Sequence, residues 1–248
     1  MSILGQKPYM IVLIAGMILM TFQAFATPDY AREQRWADEV IPGLIVGEPI
    51  YLTQRNQHKF LGILAENSHN RIAVVVVHGM GLHPNWGMIG TLRQRLFDHG
   101  YTTLSIQMPI LEADASYKAY PQLFPEAVER LQLAVYYLKQ KGYQRVAIVS
   151  HSNGSRMSRV YMASNPTDVD AWAALSLTQG DSFAGINIPV LDLYGENDLP
   201  HVLSATIKRK NSFKNKSSRQ RVITDADHFF NGQEELMLRS VQEFLNGI

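Results

Sequence analysis

The sequence predicts an α/β fold: a mostly parallel central sheet flanked by helices, with an N-terminal antiparallel edge hairpin and no large cap. Three observations predict it. From Ile72 to Leu245, apolar β-branched runs alternate with segments of helical periodicity, the pattern of strand-helix-strand units. Ile72 to Val77 is apolar at every position, as a strand covered on both faces of a parallel sheet must be. Thr178 to Ile188, the stretch between two later strands, is too short for a folded cap or a full-length helical crossover.

Each element has its own justification. Tyr30 to Val40 reads as a helix. Ile50 to Thr53 and Phe60 to Ala65 read as short strands around the polar turn Gln54-Arg55-Asn56-Gln57, which makes them a hairpin. The Ile72–Val77 strand ends in the turn His78-Gly79-Met80-Gly81. Leu92 and Leu96 mark a helix that closes at Gly100, and Tyr101 to Ile106 is a strand that stops before Pro109. A long loop, Ile110 to Pro125, leads into an amphipathic helix over Glu126 to Lys141, stopped by Gly142. The strand at 145–149 runs into Ser150-His151-Ser152-Asn153-Gly154, and the helix that follows carries Met157, Val160 and Tyr161 on one face at i, i+3, i+4 spacing. Ala171 to Leu177 and Val190 to Tyr194 are strands, Arg221 to Thr224 is a weaker one, and Glu234 to Leu245 is a final helix anchored by Leu236, Val241 and Leu245.

Composition bounds the function. A chain of 248 residues, 46% hydrophobic and 18% charged, suffices for one well-buried domain. Residues 1–26 stand apart: Lys7, the apolar run Met10 to Phe22 and the small-residue site Ala24-Phe25-Ala26 form a secretory signal peptide cleaved before Thr27. The apolar run is roughly 13 residues, short of the ~20 a spanning helix needs, so an uncleaved inner-membrane anchor is the lesser alternative. Residues 27–248 are then a single domain, periplasmic or secreted. Loss of Lys7, the leader's one charge, takes the formal charge from +1 to zero, which gives no case for nucleic acid. With no cysteine and no dense spacing among the eight histidines, neither a metal nor another cofactor is expected.

The chemistry is expected beyond the carboxyl ends of the strands, where parallel sheets bind ligands. Ser152 sits between a buried strand and a helix, in the context of a nucleophile elbow, with Gly154 small as the sharp turn requires and Ser150 where glycine is usual. A serine hydroxyl needs an imidazole to take its proton and a carboxylate to hold that imidazole in one tautomer. His228 and Asp198 follow the last strand and the Val190–Tyr194 strand, with Asp181 as the competing acid. The oxyanion donors expected are the backbone N–H groups of Asn153, at a helix start, and Met80, in the loop after the first central strand.

The order Ser152, Asp198, His228 and the elbow make the chain resemble the α/β-hydrolase superfamily over nearly all of residues 27–248. More narrowly, Gly81-Leu82-His83-Pro84-Asn85-Trp86, Leu92-Arg93-Gln94, Thr103 to Pro109 and the Ser150–Gly154 pentapeptide are similar to an exported bacterial family of uncharacterised function, DUF3530. That resemblance implies the fold and leaves the substrate open.

The activity expected is an exported serine hydrolase that cleaves a carboxylic ester or thioester of a small or lipid-like substrate. An amidase or peptidase with the same residues, or a noncatalytic envelope-binding protein, is the alternative. His78 and His151 read as structural, as do Ser150 and Ser155. His83 and Trp86 either touch substrate or seal the first helix of the parallel unit. Tyr117 and Tyr120 in the long loop are expected to wall a fairly open cleft with an aromatic side. Seven basic residues between Lys208 and Arg221, with no acid among them, read first as a solvated face and second as a contact with an anionic membrane surface.

Overall fold

The computed structural model describes residues 27–67, 72–164, 166–178 and 182–248. The leader and Asp181 lie outside the described residues. Eight strands form one sheet in the order β1-β2-β4-β3-β5-β6-β7-β8. β1 (Glu48–Thr53) and β2 (Lys59–Ala65) are the antiparallel edge pair, and β2 also runs antiparallel to β4 (Thr102–Ile106). From β4 through β3 (Ile72–Val77), β5 (Arg145–His151), β6 (Ala171–Leu175), β7 (Val190–Gly195) and β8 (Arg219–Ile223), every pair is parallel.

The all-apolar β3 is explained by what covers it. Its side chains alternate between faces: Ala73, Val75 and Val77 join the core beneath α3 (Phe124–Gln140) and α4 (Asn153–Ala163). Ile72, Val74 and Val76 join the core beneath α2 (Gly87–Asp98) and α7 (Glu234–Leu245). The first helix, α1 (Tyr30–Val40), packs Ala37 on Leu61 and Ile63 and is tied in by a buried ion pair between Glu33 and Arg130 of α3, 3.0 Å. No large helical cap spans β6 to β7 among the described residues. Instead Phe183 and Ile186 pack into the core where a crossover helix would lie, with Phe183 edge-on to Trp172 at 5.4 Å and stacked on Phe213 at 5.2 Å.

Several expectations need correction. Val160 and Leu236, expected to anchor α4 and α7, are 38% and 42% exposed. The buried stripes run through Met157, Ser158, Tyr161 and Met162, and through Met237, Leu238, Val241 and Leu245. At about 100° per residue, Val160 and Leu236 fall well outside them. The long loop is shorter than expected, because Tyr117–Leu123 is a 3-10 helix that feeds directly into α3. Two short helices, α5 (Pro200–Leu203) and α6 (Thr206–Asn211), precede β8, which starts two residues earlier than its apolar pattern suggests.

The basic run does not form one face. Arg209 is buried and paired with Asp192 at 2.8 Å, and Arg221 pairs with Glu243 at 2.7 Å. Ser218 donates nothing to the site end of the sheet: its hydroxyl meets the Val190 N–H, and Asn215 bonds the Asn187 carbonyl, so the segment bearing Lys214 and Lys216 lies by the amino end of β7. The carboxyl ends, where Ser152 lies, are at the opposite edge.

Candidate active site

Five strand ends, those of β3, β5, β6, β7 and β8, meet at one place. At the end of β5, Ser152 has φ 54° and ψ −124°, a conformation that costs an L-residue about 1–3 kcal/mol and that a sharp strand-to-helix turn imposes. The turn is pinned by its own N–H, which donates to the Leu175 carbonyl of β6 at 2.9 Å. Gly154 is required for contact: a Cβ there would sit 2.2 Å from the His78 carbonyl oxygen. Ser150 explains how the elbow tolerates a side chain in place of glycine. Its hydroxyl turns into the sheet, accepts from the Trp172 indole N–H at 2.8 Å and reaches Ser155 at 3.3 Å. Ser155 in turn donates to the Ser150 carbonyl at 2.8 Å, which bears out the structural reading of both serines.

The His228 ring lies 2.9 Å from the Ser152 hydroxyl through Nε2 and 2.6 Å from Asp198 Oδ1 through Nδ1. An ionised carboxylate only accepts, so Nδ1 carries the proton and the Nε2 lone pair faces the serine O–H. Asp227, the sequence neighbour that could have paired with this ring, spends its carboxylate on the Phe229 and Asn231 N–H groups at 2.9 and 3.0 Å.

Asp198 is buried, which by itself would raise its pKa. Hydrogen bonds from His228 and Ser176 outweigh that and hold it below the ordinary carboxylate value. Ser176 Oγ donates to Oδ2 at 2.6 Å, and the Leu199 N–H donates to Oδ1 at 2.7 Å. Gly195 lets the acid turn close on the histidine loop, since a Cβ there would sit 2.3 Å from the Ala226 carbonyl.

The two segments expected to supply N–H donors both adjoin the serine. Asn153 is the first residue of α4, so its N–H has no intrahelical acceptor and the helix dipole adds to its positive end. On the other side, Gly79 lies against the serine, its hypothetical Cβ 3.2 Å from that of Ser152. His78 fixes how this loop is turned. Its Nε2 accepts from the Met108 N–H at 2.8 Å, so Nδ1 carries the hydrogen and donates to the Gly79 carbonyl at 2.7 Å. In a trans peptide the N–H points opposite to the C=O within the shared plane, so pinning that carbonyl also fixes the direction of the Met80 N–H. Burial drives the His78 pKa down to about 3, which keeps the ring neutral in this role.

His151 is likewise structural: buried, with Nε2 donating to the His228 carbonyl at 2.8 Å and its pKa lowered to about 4, first by burial and then by the neighbouring His228.

Ser152 and His228 open into a cavity of about 500 Å³. Met80 and Leu82, Tyr117 and Thr178, and Leu199, His201 and Phe229 wall it. A larger depression, about 750 Å³, runs along α3 and α4 past Tyr136, Tyr161 and Asp168, but none of the Ser152 set lines it.

Tyr117 therefore walls the cavity as expected, while Tyr120, His83 and Trp86 do not line it. Tyr120 is in the core, its hydroxyl accepting from the Leu111 N–H at 3.4 Å. Arg93 grips Asn85 Oδ1 at 2.6 and 2.9 Å and Ser105 donates to the Pro84 carbonyl, which draws this loop onto α2 and β4. His83 then packs on Trp36, and Trp86 stands behind the Phe229 that does face the cavity, ring centres 5.3 Å apart. Ser176, Thr178, Leu199, His201 and Phe229 were missed by sequence reasoning. Leu199 and Phe229 each directly follow an expected site residue, the one signal that could have found them.

No family model and no curated protein matches the chain, so the narrower resemblance to DUF3530 gains no support. Solved structures do match. Est1E from Butyrivibrio proteoclasticus superposes with a TM-score of 0.64 at 16% identity, over 81% of this chain and 98% of that one. A dienelactone hydrolase from Anabaena variabilis gives 0.68 at 18% identity, over 80% and 98%. An α/β serine hydrolase without lid from Xanthomonas campestris gives 0.66 at 12% identity, over 82% and 95%. Likeness at such identities speaks for architecture alone, and with the strand order above it gives one conclusion: the chain has the α/β-hydrolase fold.

Proposed function

We propose that the protein is an exported serine hydrolase that cleaves a carboxylic ester or thioester through an acyl-enzyme. The observation that carries the reading is the unbroken hydrogen-bonded series from Ser152 Oγ through both His228 ring nitrogens to Asp198, at 2.9 and 2.6 Å, at the floor of an apolar cavity. Ser152 Oγ attacks the carbonyl carbon as His228 Nε2 takes its proton, and the Met80 and Asn153 N–H groups receive the developing oxyanion. Collapse breaks the bond to the leaving group, which departs with the proton from His228. Water, deprotonated by the same nitrogen, then attacks the acyl-serine, and the carboxylic acid leaves as Ser152 regains its proton. Asp198 holds the ring and stabilises the imidazolium at each transfer.

Names among the similar structures, an esterase, a dienelactone hydrolase and a serine hydrolase, support this class of reaction. Export, and kinship with the DUF3530 family, belong to the same proposal and rest on the leader pattern of residues 1–26 and the motifs quoted above.

Treatment of the purified protein with a fluorophosphonate probe tests the proposal. Labelling should be complete and should vanish in Ser152→Ala. Labelling that persists in the variant, or that never occurs in the parent, overturns the assignment.

A further inference from the structure

The cavity's walls say which acyl groups suit it. Met80, Leu82, Leu199 and Phe229 present apolar side chains, and among the described residues no Asp, Glu, Lys or Arg lines the space. Met80 and Leu199 are each 40% exposed, an apolar exposure that serves no core and lies at the rim of this one opening. Beside Ser152 and the His151, His201 and His228 imidazoles, the polar groups of the lining are the Tyr117 and Thr178 hydroxyls, which share a hydrogen bond of 2.8 Å.

That bond joins the 3-10 helix after β4 to the segment after β6, so the two side chains form a continuous wall. The Tyr117 ring has close neighbours: the Arg156 guanidinium lies 4.9 Å from it, and the His201 ring, itself part of the lining, stands 6.5 Å from it. A charged group held against the apolar side chains would lose its hydration with no carboxylate, ammonium or guanidinium in the lining to meet it, whereas each methylene moved there from water is favoured.

We propose that the cavity selects uncharged aliphatic acyl groups of medium length and that Tyr117 sets the length limit. The proposal rests on the serine-hydrolase reading above and adds to it the acyl class and the residue that bounds it. A space of about 500 Å³ holds several methylenes beyond an acetyl group. Transition-state binding should therefore grow with chain length until the Tyr117–Thr178 wall is met, and then stop.

The test is kcat/KM for a p-nitrophenyl ester series from acetate to dodecanoate. The expected gain is about fourfold per added methylene, ending in an optimum at intermediate length, with a terminal-carboxylate ester at least about tenfold poorer than its neutral analogue of equal length. Tyr117→Ala should move the optimum to longer chains, and Tyr117→Phe, which keeps the wall's bulk, should leave it near the parental length. Leu82→Trp adds bulk to the same lining and should move the optimum to shorter chains, which keeps the test decisive if the alanine variant folds poorly.

A series that is flat or falls from acetate onward, or an optimum unmoved in both Tyr117→Ala and Leu82→Trp, overturns this proposal. In those cases acetate turnover with probe labelling of Ser152 leaves the hydrolase reading standing. Absence of both labelling and acetate turnover overturns the two together.

Discussion

Asp198 shows how much of a candidate catalytic carboxylate's setting lies outside its own side chain. Its two oxygens meet four donors, from His228, Leu199, Ser176 and Gly195, and the last two could not be anticipated from the order of residues. The carboxylate's place just after a strand was legible, because strand ends can be read from apolar runs. Ser176 was not, since its value depends on a left-handed φ of 50° that turns its hydroxyl toward a residue 22 positions away. Asp198→Asn offers an N–H where the ring needs an acceptor, which turns the imidazole's lone pair away from Ser152. We expect kcat to fall by about 10⁴, measured on whichever ester the parent turns over. Ser176→Ala removes one donor and leaves the carboxylate in place, so a loss of about tenfold is expected, with the acid limb of the pH–kcat profile moving to higher pH. An unchanged profile would mean that Ser176 only packs.

At the scale of elements, the strands and long helices followed from periodicity, and the errors cluster where periodicity carries little information. α5 and α6 are four and six residues long, too short to show a period, and the basic residues of α6 disguised a buried guanidinium. Arg209 is inside because Asp192, on the otherwise apolar β7, is there to meet it. The elbow is the informative intermediate case. Its strand, turn and helix were legible, while the reason for serine at 150 needed the Trp172 side chain, 22 residues away on the neighbouring strand β6. Ser150→Ala would leave that indole N–H buried with no acceptor, at a cost of about 1–3 kcal/mol. Denaturant unfolding should register that loss while kcat of the folded variant is unaltered, because Ser150 faces the sheet and not the cavity. A fall in kcat without a fall in stability would contradict this account.

For the whole molecule, the buried histidines tie stability to acidity. His78 and His151 are held neutral with pKa values near 3 and 4, chiefly by burial, whereas in the unfolded chain each titrates near the ordinary histidine value of 6.5. Between those limits the unfolded state binds the extra protons, so stability is full above about pH 6.5 and is lost as the pH falls. The slope approaches about 1.4 kcal/mol per pH unit for each ring. Asp198, depressed in the folded state, adds a loss of the same sign at lower pH. Urea midpoints should therefore decline steeply from pH 6.5 to pH 4, and a flat profile over that range would show that neither ring stays buried and neutral. The fold was legible as a whole because a parallel sheet needs apolar strands at regular intervals. The walls of the cavity were not, because they come from turns whose side chains obey no period.

The register between β3 and β5 sets Val77 opposite Ser150. Met80 and Asn153 each lie three residues beyond that pair, so the two main-chain N–H groups proposed to receive the oxyanion branch from neighbouring strands, about 4.8 Å apart in any sheet. The proposed anion site thus starts from the main-chain ladder, and the His78 ring and Gly154 then fix how the two turns leave it. Descendants of this sequence could vary the Tyr117 side chain at the cavity wall, and so acquire new substrates, with the Ser152, His228 and Asp198 set left in place.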